Sequence, residues 1–242
     1  MEKVIIIPAR YASSRLPGKP LIDIAGETMI YRTWMRCAQA FPKDKIYIAT
    51  DDERIKEHCL EKDMKYIMTS KKCLTGTDRI VEVSKQINAD LYINVQGDEP
   101  ILNPDDLVEM VEAADRYPYE ILNGYTRIES EEHFRSPTIP KVVMRPDGRL
   151  LYMSRAPIPT DKDHSFITAW RQICIYVFPK EALIAFGKRN KKTELEEIED
   201  IEILRFLEMG YDVRMILLSS ESIAVDTQED LIKVEENINK SL

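Results

Sequence analysis

Ile5-Ile6-Ile7-Pro8-Ala9-Arg10-Tyr11-Ala12-Ser13-Ser14-Arg15-Leu16-Pro17-Gly18-Lys19-Pro20-Leu21 opens as a short apolar run and closes as a loop carrying three cations. An unbroken stretch of β-branched residues, without the alternation of a half-exposed strand, reads as a strand buried on both faces. Similar runs recur at 46–49, 66–68 and 91–95, separated by segments of helical periodicity around 28–40, 52–62 and 77–88. This alternation predicts an α/β fold with a mostly parallel central sheet flanked by helices. Such sheets bind ligands in the crevice beyond the carboxyl ends of their strands, which directs attention to the loops after Ile7 and Val95.

The chain has 242 residues, enough for one enzyme-sized domain, and carries 34 basic and 42 acidic residues for a net charge of -8. That balance repels nucleic acid at long range and makes the cationic loop a local exception. Cys37, Cys59, Cys73 and Cys174 lack both zinc-site spacing and a disulfide framework, so reduced thiols in the cytoplasm are expected. No apolar run nears the roughly 20 residues that span a bilayer, and no signal-peptide core follows Met1, so neither membrane insertion nor export is expected.

Beyond about residue 118 the pattern changes. Runs at 141–144 and 150–153 flank Arg145-Pro146-Asp147-Gly148, a turn sequence that predicts a β-hairpin in a smaller lobe inserted at about 125–190 in the single domain 1–242. A strand is expected at 172–178. Thr193 and Glu196 form a capping-box pattern that predicts one helix running to about Met209, closed by Gly210, with Leu195, Ile198, Ile201, Leu204 and Leu207 on its apolar stripe and the glutamates a solvated face or dimer rim rather than a metal site. A final strand at 213–218 and a helix at 228–238 complete the plan.

Arg10, Arg15 and Lys19 offer about three positive charges against the roughly four negative charges of a nucleoside triphosphate, which leaves work for a divalent cation. By loop chemistry alone, ordinary surface cations are an equal reading; the loop lacks the upstream glycine and the Ser or Thr of a Walker A sequence. Asn94-Val95-Gln96-Gly97-Asp98-Glu99-Pro100 ends an apolar strand in two adjacent acids, with Asp98 a candidate hard-oxygen ligand and Asn103 or Asp105 available to cap the next helix. Asp226 reads first as a cap of the last helix, as does Thr227. Thr75-Gly76-Thr77-Asp78-Arg79 fits either a helix cap or a polar-ligand site at a helix start. His58, His133 and His164 show no motif spacing and are expected at the surface.

Taken together, these segments resemble the CMP-Kdo synthetases, the cytidylyltransferases that activate 3-deoxy-manno-octulosonate (Kdo) with CTP. The family's N-terminal signature, S-G-T-[DE]-R, V-Q-G-D-E-P, K-V-V with S-R-A-P-I-P, and V-D-T-P-E-D-L are matched in order by the opening loop, 75–79, 95–100, 141–143 with 154–159, and 225–231. The resemblance implies Mg²⁺-dependent transfer of CMP from CTP to the anomeric hydroxyl of a 2-keto-3-deoxy sugar acid, in a cytoplasmic homodimer serving lipopolysaccharide or capsule biosynthesis. It assigns Pro8, Ala9, Arg10, Arg15, Lys19, Thr75, Gly76 and Gln96 to the nucleotide, with Arg10, Lys19 and Asp98 catalytic. Asp98 and Asp226 become metal ligands, which reverses the capping reading of Asp226. Arg79, Arg155, Gln172, Tyr176 and Glu202 are assigned to the acceptor.

The departures fall in the acceptor half. Cys73 stands where the family usually has His, and Thr75 where it has Ser. Gln172 and Cys174 alter the R-H-x-G-I-Y strand, Ile203 replaces an amide in L-E-Q-L-R, and 138–143 departs from N-x-V-K-V-V. Alternatives implied by these changes are a different acceptor (8-amino-Kdo, another nonulosonic or octulosonic acid, or a phosphonate) and a non-catalytic nucleotide-binding homologue.

Overall fold

Because Ile5 and Ile7 point to one side of their strand and Val4 and Ile6 to the other, the sheet they join must be covered on both faces, and it is. The computed structural model describes residues 1–12 and 16–240. Its first half comprises β1 (Lys3–Ala9), the small hairpin β2 (Asp23–Ile24) and β3 (Glu27–Thr28), α1 (Met29–Ala40), β4 (Ile46–Thr50), α2 (Glu53–Glu61), β5 (Lys65–Met68), α3 (Gly76–Ser84), β6 (Leu91–Val95) and α4 (Pro104–Arg116). The second half holds β7 (Ile121–Arg127), α5 (Glu131–Arg135), β8 (Lys141–Met144), β9 (Leu150–Ser154), β10 (Trp170–Pro179), α6 (Lys180–Phe186), α7 (Glu194–Glu199), α8 (Ile203–Glu208), β11 (Val213–Leu217) and α9 (Gln228–Lys240).

The main sheet runs β11-β7-β10-β6-β1-β4-β5, with β10 alone opposing its neighbours on this path. Helices α1, α2 and α4 cover the Ile5/Ile7 face and α3, α6 and α8 the Val4/Ile6 face. Each long helix starts where its sequence supplies a cap: Thr28, Asp52, Thr75 and Asn103 accept from the first-turn N–H groups of α1 to α4. Asn103 in that role leaves Asp98 uninvolved in α4. The turn 145–148 joins β8 and β9 as a hairpin, which pairs through Lys141 and Val142 with Arg171 and Trp170 at the start of β10.

The helix expected from Thr193 to Met209 is two helices. The capping box at Thr193 and Glu196 forms, but Asp200 adopts a left-handed conformation (φ 52°) and ends α7. The carbonyls of Glu199 and Asp200 accept from the Arg155 guanidinium at 2.5 and 3.1 Å, and Glu202 is drawn to α3, so partners outside the helix replace the bonds that continuation would make. The stripe splits accordingly: Ile201 and Leu204 are buried, whereas Ile198 is 71% exposed. The glutamates are not a uniformly solvated face either, since Glu196 is fully buried against Arg205. His58 departs from the surface expectation as well, lying half-buried with its Nε2 2.7 Å from Thr28 Oγ1.

Candidate active site

At the carboxyl ends of β1 and β6 the chain leaves the sheet on adjacent strands, and the two exits come very close. A Cβ on Gly97 would lie 2.9 Å from the Pro8 carbonyl oxygen and 3.0 Å from Ile30 Cδ1. Only glycine permits that approach, which brings Gln96 and Asp98 beside Pro8 and Ala9. Gly18, at φ 69°, turns the opening loop back so that Lys19 enters the same crevice.

There the Lys19 ammonium lies 2.6 Å from Asp98 Oδ2 and 3.0 Å from Asp226 Oδ1. Burial alone would lower the Lys19 pKa, but the two carboxylates outweigh it and hold the ammonium above its ordinary value. Asp226 does not serve as the cap: Thr227 Oγ1 accepts from the Asp230 N–H, and Asp230 takes the N–H groups of Asp226 and Thr227 in return. A further bond, Val225 N–H to the Asp98 carbonyl at 2.9 Å, ties the two acidic segments together.

The cleft is lined by Pro8, Ala9, Arg10, Lys19, Thr75, Gly76, Arg79, Gln96, Asp98, Glu202 and Asp226 among the residues expected from the sequence, together with Cys73. Arg15 lies outside the described residues. Thr75 caps α3, so its two readings coexist. The Glu202 carboxylate accepts from Gly76 and Thr77 N–H at 3.0 and 2.7 Å and from the Thr77 hydroxyl at 2.6 Å, acting as an anion at the N-terminus of α3. Burial raises its pKa against these bonds. Arg79 reaches into the cleft wall, paired with Asp51 at 3.0 Å and bonded to Thr69.

Arg155, Gln172 and Tyr176 do not line the cleft. Arg155 is spent on the carbonyls of Pro137, Glu199 and Asp200. Gln172 Nε2 donates to Asn123 Oδ1 (2.9 Å) and the Tyr176 hydroxyl (3.0 Å), inside the sheet. Ile203 is likewise buried in the core. Conversely, Asp200 lines the cleft, and sequence reasoning missed it because it stood in an acidic run with nothing to single it out.

A family model described as cytidylyltransferase matches residues 4–223. The chain belongs to the cytidylyltransferase family. Within that family it is 39% identical to the 3-deoxy-manno-octulosonate cytidylyltransferase of Geobacter metallireducens, covering 99% of both chains. It is 40% identical to the enzyme of that name from Protochlamydia amoebophila, over 96% of this chain and 92% of the relative. A solved structure of CMP:2-keto-3-deoxy-manno-octonic acid synthetase complexed with CTP superposes over the full length of both chains with a TM-score of 0.92 at 34% identity. HddC from Yersinia pseudotuberculosis, at 16% identity and a TM-score of 0.72, shares the fold.

The donor set of this cytidylyltransferase fits a small hard cation. Two carboxylates converge on one ammonium, and no group of three or more His, Cys, Asp or Glu that could hold a metal occurs among the described residues. Mg²⁺ is ordinarily held by one or two carboxylates with water and substrate phosphates completing its shell, and Asp98 and Asp226 are the two carboxylates that could hold it here.

Proposed function

We propose that the protein transfers CMP from CTP to the anomeric hydroxyl of a 2-keto-3-deoxy sugar acid, Kdo or a Kdo-like acid. The hydroxyl oxygen would bond to the α-phosphorus as the bond from that phosphorus to the bridging oxygen breaks, releasing pyrophosphate and a proton. The observation that carries this reading is the convergence of Lys19, Asp98 and Asp226 at the strand ends, in a chain similar throughout to Kdo cytidylyltransferases.

Arg10 and Lys19 would neutralise the phosphates, and Pro8, Ala9, Thr75, Gly76 and Gln96 would receive the cytidine. Mg²⁺ on Asp98 and Asp226 would orient the α-phosphate and stabilise the charge that develops on it. The acceptor would meet the opposite wall, where Arg79, Cys73 and Asp200 face the cleft. We place the enzyme in the cytoplasm, in keeping with its four free cysteines. It would work as a homodimer paired through the lobe at 125–190 and the adjoining α7, where Leu151 and Ile198 supply exposed apolar surface.

The test is pyrophosphate release with CTP, UTP, dTTP and GTP against a panel of 2-keto sugar acids, with light scattering for the dimer. Turnover with CTP and Kdo is expected. CTP binding without turnover on any acceptor, or preference for another nucleotide, would refute the assignment.

A further inference from the structure

Asp226 lies on a stretch, residues 218–227, that forms neither helix nor strand. The Val225 N–H bond to the Asp98 carbonyl and the bonds of Asp226 and Thr227 N–H to Asp230 fix the end of this stretch, and side chains constrain the part that precedes it. At the start of the stretch, Asp106 on α4 accepts from the N–H and the hydroxyl of Ser219, both at 2.7 Å. Further along, the Arg171 guanidinium donates to the carbonyls of Ser220 and Ser222 at 3.2 and 3.1 Å. The Ser222 hydroxyl donates to the carboxylate of Glu99, the residue following Asp98. Glu99 and Ser222 are 3% and 2% exposed, and neither lines the cleft.

A buried carboxylate with no contact to the ligand cleft is costly to keep, and its neighbours show what it holds. On one side it is joined covalently to Asp98. On the other it grips Ser222, four residues before Asp226, while Arg171 grips the same serine through its carbonyl. We propose that Glu99, Ser222 and Arg171 form a latch that sets the position of Asp226 relative to Asp98, making them positioning residues for the carboxylate pair. The proposal rests on the reading of Asp98 and Asp226 as metal ligands. Outer partners of metal-binding carboxylates typically change metal affinity by about 10–100-fold.

Ser222→Ala, Glu99→Ala and Glu99→Gln are compared with Asp226→Asn in the full chain. Three readouts are taken: Mn²⁺ binding by electron paramagnetic resonance with CTP present, the Mg²⁺ concentration for half-maximal turnover, and amide hydrogen exchange across 219–227. Ser222→Ala and Glu99→Ala should weaken Mn²⁺ binding about 10-fold or more, shift the Mg²⁺ requirement in parallel, and speed exchange at Val225, with the acceptor KM nearly unchanged. Glu99→Gln keeps an oxygen for the Ser222 hydroxyl and should restore most of the metal affinity. Mn²⁺ binding unchanged in both alanine variants overturns the latch, as does a general loss of stability without a change in metal affinity. If Asp226→Asn itself leaves Mn²⁺ binding intact, the metal reading fails instead. Exchange at 219–227 in Ser222→Ala then still decides whether the latch holds that stretch.

Discussion

Replacing Arg205 by Met should cost this fold about 4 kcal/mol, near the middle of the range for stranding one member of a buried ion pair. Arg205 and Glu196 are both fully buried, and their side chains meet in a two-pronged contact at 2.5 and 2.6 Å. Arg205 also reaches Asp78 at 3.0 Å and lies 3.8 Å above the Phe186 ring. Met keeps most of the packing on that ring, and Asp78 retains the Thr75 hydroxyl, so the main loss is a Glu196 carboxylate without its counter-charge, left with only the Thr193 capping bonds. For a chain of this size each kcal/mol moves Tm by roughly 2–4 °C, giving a fall of about 8–16 °C. Urea unfolding followed by circular dichroism at pH 7.5, with calorimetry, measures it. The double variant Glu196→Met/Arg205→Met removes the stranded charge and should recover at least half of the loss. A loss below about 1 kcal/mol, or a double variant no better than the single one, would show that burial of this pair has been misjudged.

Asp98→Asn should reduce kcat/KM at least about 100-fold while leaving Tm within a few degrees; near wild-type turnover would remove Asp98 from the metal site. Lys19→Met should lower kcat/KM for CTP by a similar factor. In the absence of nucleotide, however, it should raise Mn²⁺ affinity roughly 10-fold, because no ammonium then competes between Asp98 and Asp226; unchanged or weaker metal binding would contradict that geometry. Burial, with Glu82 adding to it, pushes the Cys73 thiol up to about 12. Balancing the lost thiolate against its greater nucleophilicity, alkylation at pH 8 should be about 30-fold slower than for an exposed thiol, as read by mass spectrometry. Gly97→Ala should cost about 1–3 kcal/mol in thermal unfolding, since its Cβ meets the β1 backbone, and should lower activity further by displacing Asp98.

The parallel half of the sheet was legible because β1, β4 and β6 are apolar runs buried on both faces and each helix there carries its own cap. β7 was not, because Asn123 and Gly124 interrupt its hydrophobicity. The Asn123 amide donates to the carbonyls of Ile173 and Ile175, where β10 shifts register, so a polar residue belongs in the core there for a reason only the partner strand reveals. The break between α7 and α8 was hidden for the same kind of reason. Nothing local in 199–202 announces it; it depends on Arg155 from the hairpin and on the N-terminus of α3. At the cleft, Asp98 stood out by chemistry at a strand end, whereas Lys19 read equally well as an ordinary surface cation. Asp226 drew attention only through the family pattern, since it reads as a cap until Thr227 is seen to do the capping.

The reversed strand β10 also orders the events of synthesis. β6 borders β1 on one side and β10 on the other, yet residues 170–179 leave the ribosome long after residues 91–95. During that interval the nascent half-sheet presents the bare edge of Leu91–Val95, a fully buried apolar strand in the finished protein. Open apolar edges of this kind invite pairing with other chains. Until residues 170–179 pair with it, that edge is open to other chains, and arrival of the second half closes it.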